Sequence, residues 1–296
     1  MRTETQNNQP PMAELVKATE SLMLTTLMPT TSEPLDALMQ YHLERPGSQV
    51  RARLALHAGV ALGLSTKTTI AIAACCELIH NASLLHDDIQ DQDPHRRGRQ
   101  AAWVRFGINS AMGAGTMMLS AAYSALTEAE GWLGHLAQHV HRRTALLISA
   151  QDRDLSSAQT PIDLADYLQI AAGKSGSLLA LPLELTLLAS DRQANLATAQ
   201  KAGESFALAY QIIDDIKDVE RDQMQGSNNI LSVLQASGYS AEAAFSRAHA
   251  LASLYLDEAT ECARALAHDS GNYLCELSLD LADAIAAPSH KTVHAA

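Results

Sequence analysis

The stretch "SLLHDDIQDQDPHRRG", Ser83–Gly98, puts four aspartates and two arginines within eleven residues. It grows out of "AACCELIHNASLL", Ala73–Leu85, which is too apolar for an exposed helix. In "DDIQD", Asp87 and Asp91 are four residues apart. On a helix they stand one turn apart on one face, with Asp88 beside them. Bare carboxylates stacked this way repel each other, and a lone copy is equally well read as a solvated helix end. A second copy tips the balance. "YQIIDDIKDVERD", Tyr210–Asp222, repeats the spacing with Asp214, Asp215 and Asp218, again behind an apolar helix. Gln211 shares the face of Asp214 and Asp218, being three and seven residues away.

Two acidic clusters at the ends of two core helices make sense if they face each other and hold hard cations. Magnesium takes oxygen ligands and commonly leaves part of its shell to substrate phosphates. The implied substrate is a phosphate or diphosphate ester. Arg96 and Arg97 follow Pro94, where the chain leaves the helix. Guanidinium groups donate in a fixed fork that suits phosphate oxygens. Lys174, in "AAGKSGSL", adds a point charge, although alone it reads as a helix-end lysine that satisfies carbonyls.

The rest of the chain agrees with a helical frame. It has 296 residues, of which 47% are hydrophobic and only 4% aromatic. Ala and Leu dominate, and both favour helices. Helical periodicity predicts segments at about 66–92 (capped by Ser65), 109–130, 135–154, from Pro161 and Asp163 to Gly173, 177–190, 195–224, 241–266 and 272–286. Strand-like alternation is scarce. The expected fold is all-α, a single domain over residues 13–286 between mobile tails at 1–12 and 287–296. The net charge of -12, without a Lys/Arg run, argues against nucleic acid as a partner. Cys75, Cys76, Cys262 and Cys275 form no CxxC pair and read as small buried hydrophobes in a reducing compartment. The N-terminal residues lack an apolar signal core, and no uninterrupted apolar run reaches bilayer length. A soluble cytoplasmic protein without stable membrane insertion is expected.

At these residues the sequence resembles the trans-isoprenyl diphosphate synthases, the polyprenyl synthetase family of farnesyl and geranylgeranyl diphosphate synthases. "ELIHNASLLHDDIQDQDPHRRGR" is similar to the family's first aspartate-rich region and "YQIIDDIKD" to its second. "QDRDL", Gln151–Leu155, resembles its Gln-x-x-Asp helix, and "GKSG" its Lys-Thr-Gly element, with Ser175 for threonine. The landmarks lie in order over roughly residues 30–285.

The resemblance implies a helical bundle around a deep cavity, usually a homodimer. It implies three magnesium ions, held by Asp87, Asp88, Asp91, Asp214, Asp215 and Asp218 against the diphosphate of an allylic substrate. Isopentenyl diphosphate then attacks the allylic cation. Carried over by position, Arg96 and Lys174 touch the allylic diphosphate. His80, Arg97 and Gln211 fall near isopentenyl diphosphate or the reacting centre, and Ser175 near the cation.

Departures accompany the likeness. In "GSQVRARLAL" Arg51 and Arg53 match two arginines of the family's diphosphate-binding element, but Val50 stands where it has lysine. Asn228 stands where a second lysine is usual, in a shortened segment; Arg221 or Lys217 could compensate. Thr116 replaces an aspartate, and the tail shows no basic ending beyond Lys291.

Product length in the family is limited by bulk below the first motif. Ala82 and Ser83 leave the cavity open; Leu78 and Ile79, then Cys75 and Cys76, lie deeper, and Met117 and Met118 are candidates for a floor. This favours a C20 over a C15 product. Two other readings compete with coupling. One is a terpene synthase that ionises a prenyl diphosphate without coupling it, favoured by Val50 and disfavoured by the few aromatic residues. The other is a noncatalytic partner subunit, disfavoured by two intact DDxxD motifs.

Overall fold

In this computed structural model, residues 10–27, 33–45, 47–131, 133–157, 162–219 and 228–286 are described. They form thirteen α-helices: α1 (Met12–Leu27), α2 (Glu33–Leu43), α3 (Val50–Ala61), α4 (Thr66–Gln90), α5 (Ala102–Phe106), α6 (Ile108–Leu126), α7 (Leu133–Ser157), α8 (Leu164–Ala171), α9 (Ser177–Ala189), α10 (Leu196–Lys217), α11 (Ile230–Ala236), α12 (Ala241–Arg264) and α13 (Asn272–Ala286). The strand content of the described residues is one antiparallel ribbon, β1 (His95–Arg96) against β2 (Arg99–Gln100), with His95 opposite Gln100.

The central helix is α4. Ser65 caps it, its hydroxyl accepting from the Thr68 N–H at 3.2 Å. Ala71–Ile79 is buried without interruption, because α4 packs against α6, α3, α1 and α9 together. By length and mean hydropathy α4 could cross a membrane, although Glu77 interrupts its apolar run, but 78% of its most apolar window lies inside the fold. A second helix buried all round is α9, where every residue from Ser177 to Leu187 is buried, Pro182 included. It meets α10 at close quarters: a Cβ on Gly203 would lie 2.5 Å from the Ala180 Cα, so only glycine permits this approach.

The interior divides in two. One cluster gathers the apolar faces of α1, α2, α4 and α6; the other gathers those of α9 to α13. Between them a buried ionic network ties α7, α9 and α10. Arg143 is 4% exposed and Glu184 1%. The Arg143 guanidinium grips both oxygens of Glu184, with Nε at 2.7 Å, and reaches Glu204 at 3.3 Å, while His139 lies 2.9 Å from the same Glu184 carboxylate. A buried charge this well surrounded is tolerable; one stripped of a partner is not.

The eight helices expected from periodicity are present with shifted ends. The helix expected at 195–224 is regular to Lys217; Glu220–Ser227, with Arg221, lie outside the described residues, as do Pro161 and Lys291. The N-terminal tail gives way to α1 already at Met12. The short helices α2, α3, α5 and α11, and the longer α1, lie outside the eight expected segments. Cys75, Cys76 and Cys275 are buried, but Cys262 is only half-buried.

Candidate active site

The first aspartate motif ends α4. Asp91 is its C-terminal cap, and Gln92, at φ 55°, turns the chain away. The three carboxylates do different things. Asp88 is 1% exposed and turns to the ribbon, where Arg96 donates to its Oδ1 from Nε at 2.8 Å and from a second guanidinium nitrogen. Its Oδ2 is buried without a partner. Asp87 points to a cavity between α4, α6 and α7. Burial pushes its carboxyl up to about 6, against the pull of Lys174 and with a push from Asp91. Burial likewise raises Asp91, again against Lys174, and the Gln151 amide donates to Asp91 at 3.4 Å.

Lys174 stands where this motif meets the opposite wall. The helix between α8 and α9 widens into a five-residue π-turn, Ala172–Gly176, and π-turns recur at functional sites. It carries half-buried Lys174 and Ser175. Lys174 is ion-paired with Asp154 of α7. A small pocket beside that pair is lined by Asp154, Tyr167, Lys174, Gln211 and Asn228. The Gln-x-x-Asp helix, the π-turn and the second motif are therefore brought together.

In the second motif the carboxylates again divide. Asp215 is 3% exposed and accepts from the Tyr167 hydroxyl at 2.7 Å, the Gln211 amide at 2.7 Å and the Ile230 N–H at 2.8 Å. Three donors and a dry setting make it a bracket between α8, α10 and α11. Asp214 is exposed and Asp218 half-buried at the end of α10. Lys217 is exposed. Asn228 donates to the Ser157 hydroxyl at 3.1 Å.

The donor set fits magnesium in kind: carboxylate oxygens, a buried Asp88 oxygen without a partner, and an Asp87 carboxyl that burial and Asp91 make costly to ionise. Among the described residues no three His, Cys, Asp or Glu side chains form a ready-made cage. That is compatible with an ion whose shell is completed by phosphate oxygens and water.

A second basic cluster lies beside α4. His80, Arg51 and Arg97 converge there. Burial, then Arg51 and Arg97, hold the His80 imidazole well below its ordinary value. Arg97, in the left-handed region at φ 53°, donates to the Arg45 carbonyl, and Gly47 makes room: a Cβ there would meet the guanidinium at 3.3 Å. Arg53 turns aside toward His57, Tyr273 and Glu276 of the C-terminal helix. Val50 packs against the second apolar cluster.

The cavity at Asp87 has a volume of about 190 Å³. Its walls include Ile79 and Ser83 of α4, Leu119 of α6, and Thr144, Leu147 and Gln151 of α7. Leu78 and Ala82, expected on the wall, are wholly buried in the core between α4 and its neighbours. Met118 is likewise core, and Leu119 takes the place expected of the two methionines. Sequence reading missed Asp154 as the partner of Lys174 and Tyr167 as the partner of Asp215; the Gln-x-x-Asp likeness was the one signal for the first.

A profile of the polyprenyl synthetase family matches residues 32–247. A farnesyl diphosphate synthase of Escherichia coli is 30% identical over 262 residues, covering 82% of this chain and 86% of that protein. A (2E,6E)-farnesyl diphosphate synthase of Mycobacterium tuberculosis is 33% identical over 173 residues, 57% of this chain; the match spans about half, 48%, of that relative's length. In fold, the chain is similar to a decaprenyl diphosphate synthase from Rhodobacter capsulatus (TM-score 0.84, 18% identity, 92% of this chain and 97% of that one). It is also similar to a geranylgeranyl pyrophosphate synthetase from Pyrococcus horikoshii (TM-score 0.82, 21% identity, 90% and 95%).

Proposed function

Because the chain belongs to the polyprenyl synthetase family, we propose that it joins an allylic diphosphate to isopentenyl diphosphate, giving a longer trans-prenyl diphosphate. The observation that carries this reading is the presence of two separate cationic groups around α4. Lys174 acts on Asp87 and Asp91, whereas Arg51 and Arg97 act on His80. A coupling enzyme needs two diphosphate sites; an enzyme that only ionises needs one.

Asp87, Asp91 and the unpartnered Asp88 oxygen from α4, with Asp214 and Asp218 from α10, would hold the magnesium, three ions by the family resemblance. Magnesium supplies Lewis-acid stabilisation of charge on the departing diphosphate. The chain's own residues do the rest. Lys174 and Arg96 bind the allylic diphosphate, and Asp88 fixes the Arg96 fork. Asp215 holds Gln211 and the start of α11, and so acts through the residues it positions. The apolar cavity wall receives the hydrocarbon and excludes water from the cation, with Ser175 beside it. Arg51, Arg97 and His80 orient isopentenyl diphosphate, and Arg53, turned toward Tyr273, takes no part. In bond terms, the allylic C–O bond breaks with its pair leaving on diphosphate. The isopentenyl π pair forms the new C–C bond, and a proton is then lost.

Exposed Ile108 and Met112 on α6, with Leu146 on α7, support a homodimer as the working form. A cytoplasmic setting accords with the buried or half-buried free thiols. The open wall at Ser83 supports a geranylgeranyl (C20) over a farnesyl (C15) product. Ionisation without coupling is the second reading, favoured by Val50, which brings no charge to the second site. Incubation with magnesium and farnesyl diphosphate, with and without isopentenyl diphosphate, separates them by product mass. A longer diphosphate formed only from both supports coupling; a hydrocarbon or alcohol from farnesyl diphosphate alone supports the second reading. No product from either points to a noncatalytic partner subunit.

A further inference from the structure

We propose that Glu77 is a positioning residue for isopentenyl diphosphate: from α4 it caps the N-terminus of α3 and so sets where Arg51 stands. The helix α3 begins without a cap of its own. Gln49, at φ 51°, supplies no side-chain hydrogen bond to it, and its amide donates instead to Glu20 of α1 at 2.8 Å. The first N–H groups of a helix have no partner within it and are served by side chains or water. Ala52, the third residue of α3, is 2% exposed, so water is kept from it. Its N–H donates at 3.3 Å to Oε2 of Glu77, itself 2% exposed. Asn81, one turn along α4, donates to the Glu77 carbonyl at 2.8 Å and reaches Oε1 at 3.5 Å, which steadies the carboxylate.

Gly59 meets Thr69 and Ala52 meets Glu77, so α3 and α4 run antiparallel. At the Gly59 end the contact is direct: a Cβ there would lie 2.6 Å from the Thr69 Cγ2. At the other end Glu77 makes the link. Behind it, Gln49, Glu77 and Asn81 border a cavity of about 460 Å³ between α1, α2 and α4, so packing on that side does not replace the link. Of the first four residues of α3, Val50 is uncharged and Arg53 turns toward Tyr273. Arg51 is therefore the cation that this turn brings to the basic cluster around His80. The Arg51 Nε is buried without a partner, so the backbone that carries it governs its placement. Burial raises the Glu77 carboxyl, against Arg51 and then the Ala52 N–H, which sets the three groups together. A carboxylate at a helix N-terminus is also favoured by the helix dipole.

The inference rests on the coupling reading for its ligand, so one readout is independent of that reading. In the whole protein without ligands, amide hydrogen exchange at Ala52 should be as slow as at Leu56, inside the same helix. Fast exchange at Ala52 overturns the proposal and needs no variant to show it. Glu77→Leu should speed exchange at Ala52 roughly tenfold or more and leave the Gly59 amide unchanged. In steady-state assays with magnesium, Glu77→Leu should raise the KM for isopentenyl diphosphate by on the order of tenfold, with the KM for farnesyl diphosphate as in wild type. Glu77→Gln, which keeps an oxygen within reach of Ala52, should stay within about threefold of wild type for both. Equal rises in the two KM values, a fall in kcat alone, or a loss in Glu77→Gln as large as in Glu77→Leu overturns the positioning role. A wild-type protein that forms no longer diphosphate would sink the coupling reading and this role with it, while Ala52 protection that depends on Glu77 would leave the cap standing. Coupling with Ala52 exchange indifferent to Glu77 would do the reverse.

Discussion

Asp88 is held by Arg96, whose Nε lies 2.8 Å from Oδ1, while Asp87, one residue earlier, faces the cavity. Adjacent aspartates on one helix thus have separate duties. Asp88 and Arg96 should behave as one unit. Asp88→Asn and Arg96→Gln should each lower turnover, and the double variant should cost little more than the worse single. A double-mutant cycle on kcat/KM should give a coupling energy of about 1–3 kcal/mol. Additive losses would separate the two residues.

Asp87 and Asp214 differ from Asp88 and Asp215 in facing the ligand region or solvent. Loss of either charge, in Asp87→Ala or Asp214→Ala, should cut turnover roughly a thousandfold, the scale of several kcal/mol of charge stabilisation. Normal rates in both variants would remove the metal assignment.

Ser83 lines the cavity and Ala82 does not. Ser83→Phe should therefore shorten the product, read by mass, with little loss of folding stability. Ala82→Phe should instead overpack the core, at a cost of about 1–3 kcal/mol or more in denaturant unfolding. Reversed outcomes would move the cavity wall by one residue.

Glu184 sits between Arg143 and His139 at 1% exposure. Glu184→Gln leaves the buried Arg143 charge to a neutral amide and the longer 3.3 Å contact with Glu204. Unfolding stability should fall by about 3–5 kcal/mol. An unchanged denaturation midpoint would show that the network carries no such load.

His42, with a folded-state value of about 3, gives a signed pH effect. Its value is below that of an unfolded histidine, about 6.5, so the unfolded chain takes up the proton first. The stability tied to neutral His42 is complete above that point and is lost as pH falls from about 6.5 toward 3. His80 should act in the same direction. Wild type should lose stability over this window more steeply than His42→Gln; equal slopes would refute the assignment.

Much of the frame was legible because the signals are local. The period of apolar residues finds α4, α7 and α12, and Ser65 marks a start by a cap visible in sequence. Repeated DDxxD spacing located both motifs. Division of labour within a motif was not legible, because Asp88 and Asp215 differ from their neighbours through partners distant in sequence: Arg96 eight residues on, and Tyr167 forty-eight residues away. The cavity wall was half legible. Ile79 and Ser83 were named, yet Leu78 and Ala82 came with them, since helix rotation against α6 decides which residues face in. His42 lay outside every motif, and its place beside His80 comes from packing alone.

The most direct test of two-substrate coupling is the mass of the product formed from farnesyl diphosphate, isopentenyl diphosphate and magnesium. A prenyl diphosphate one five-carbon unit longer, absent when either substrate is omitted, is the predicted result. A cyclised hydrocarbon or an alcohol formed from farnesyl diphosphate alone, with no longer diphosphate in the full mixture, would contradict it.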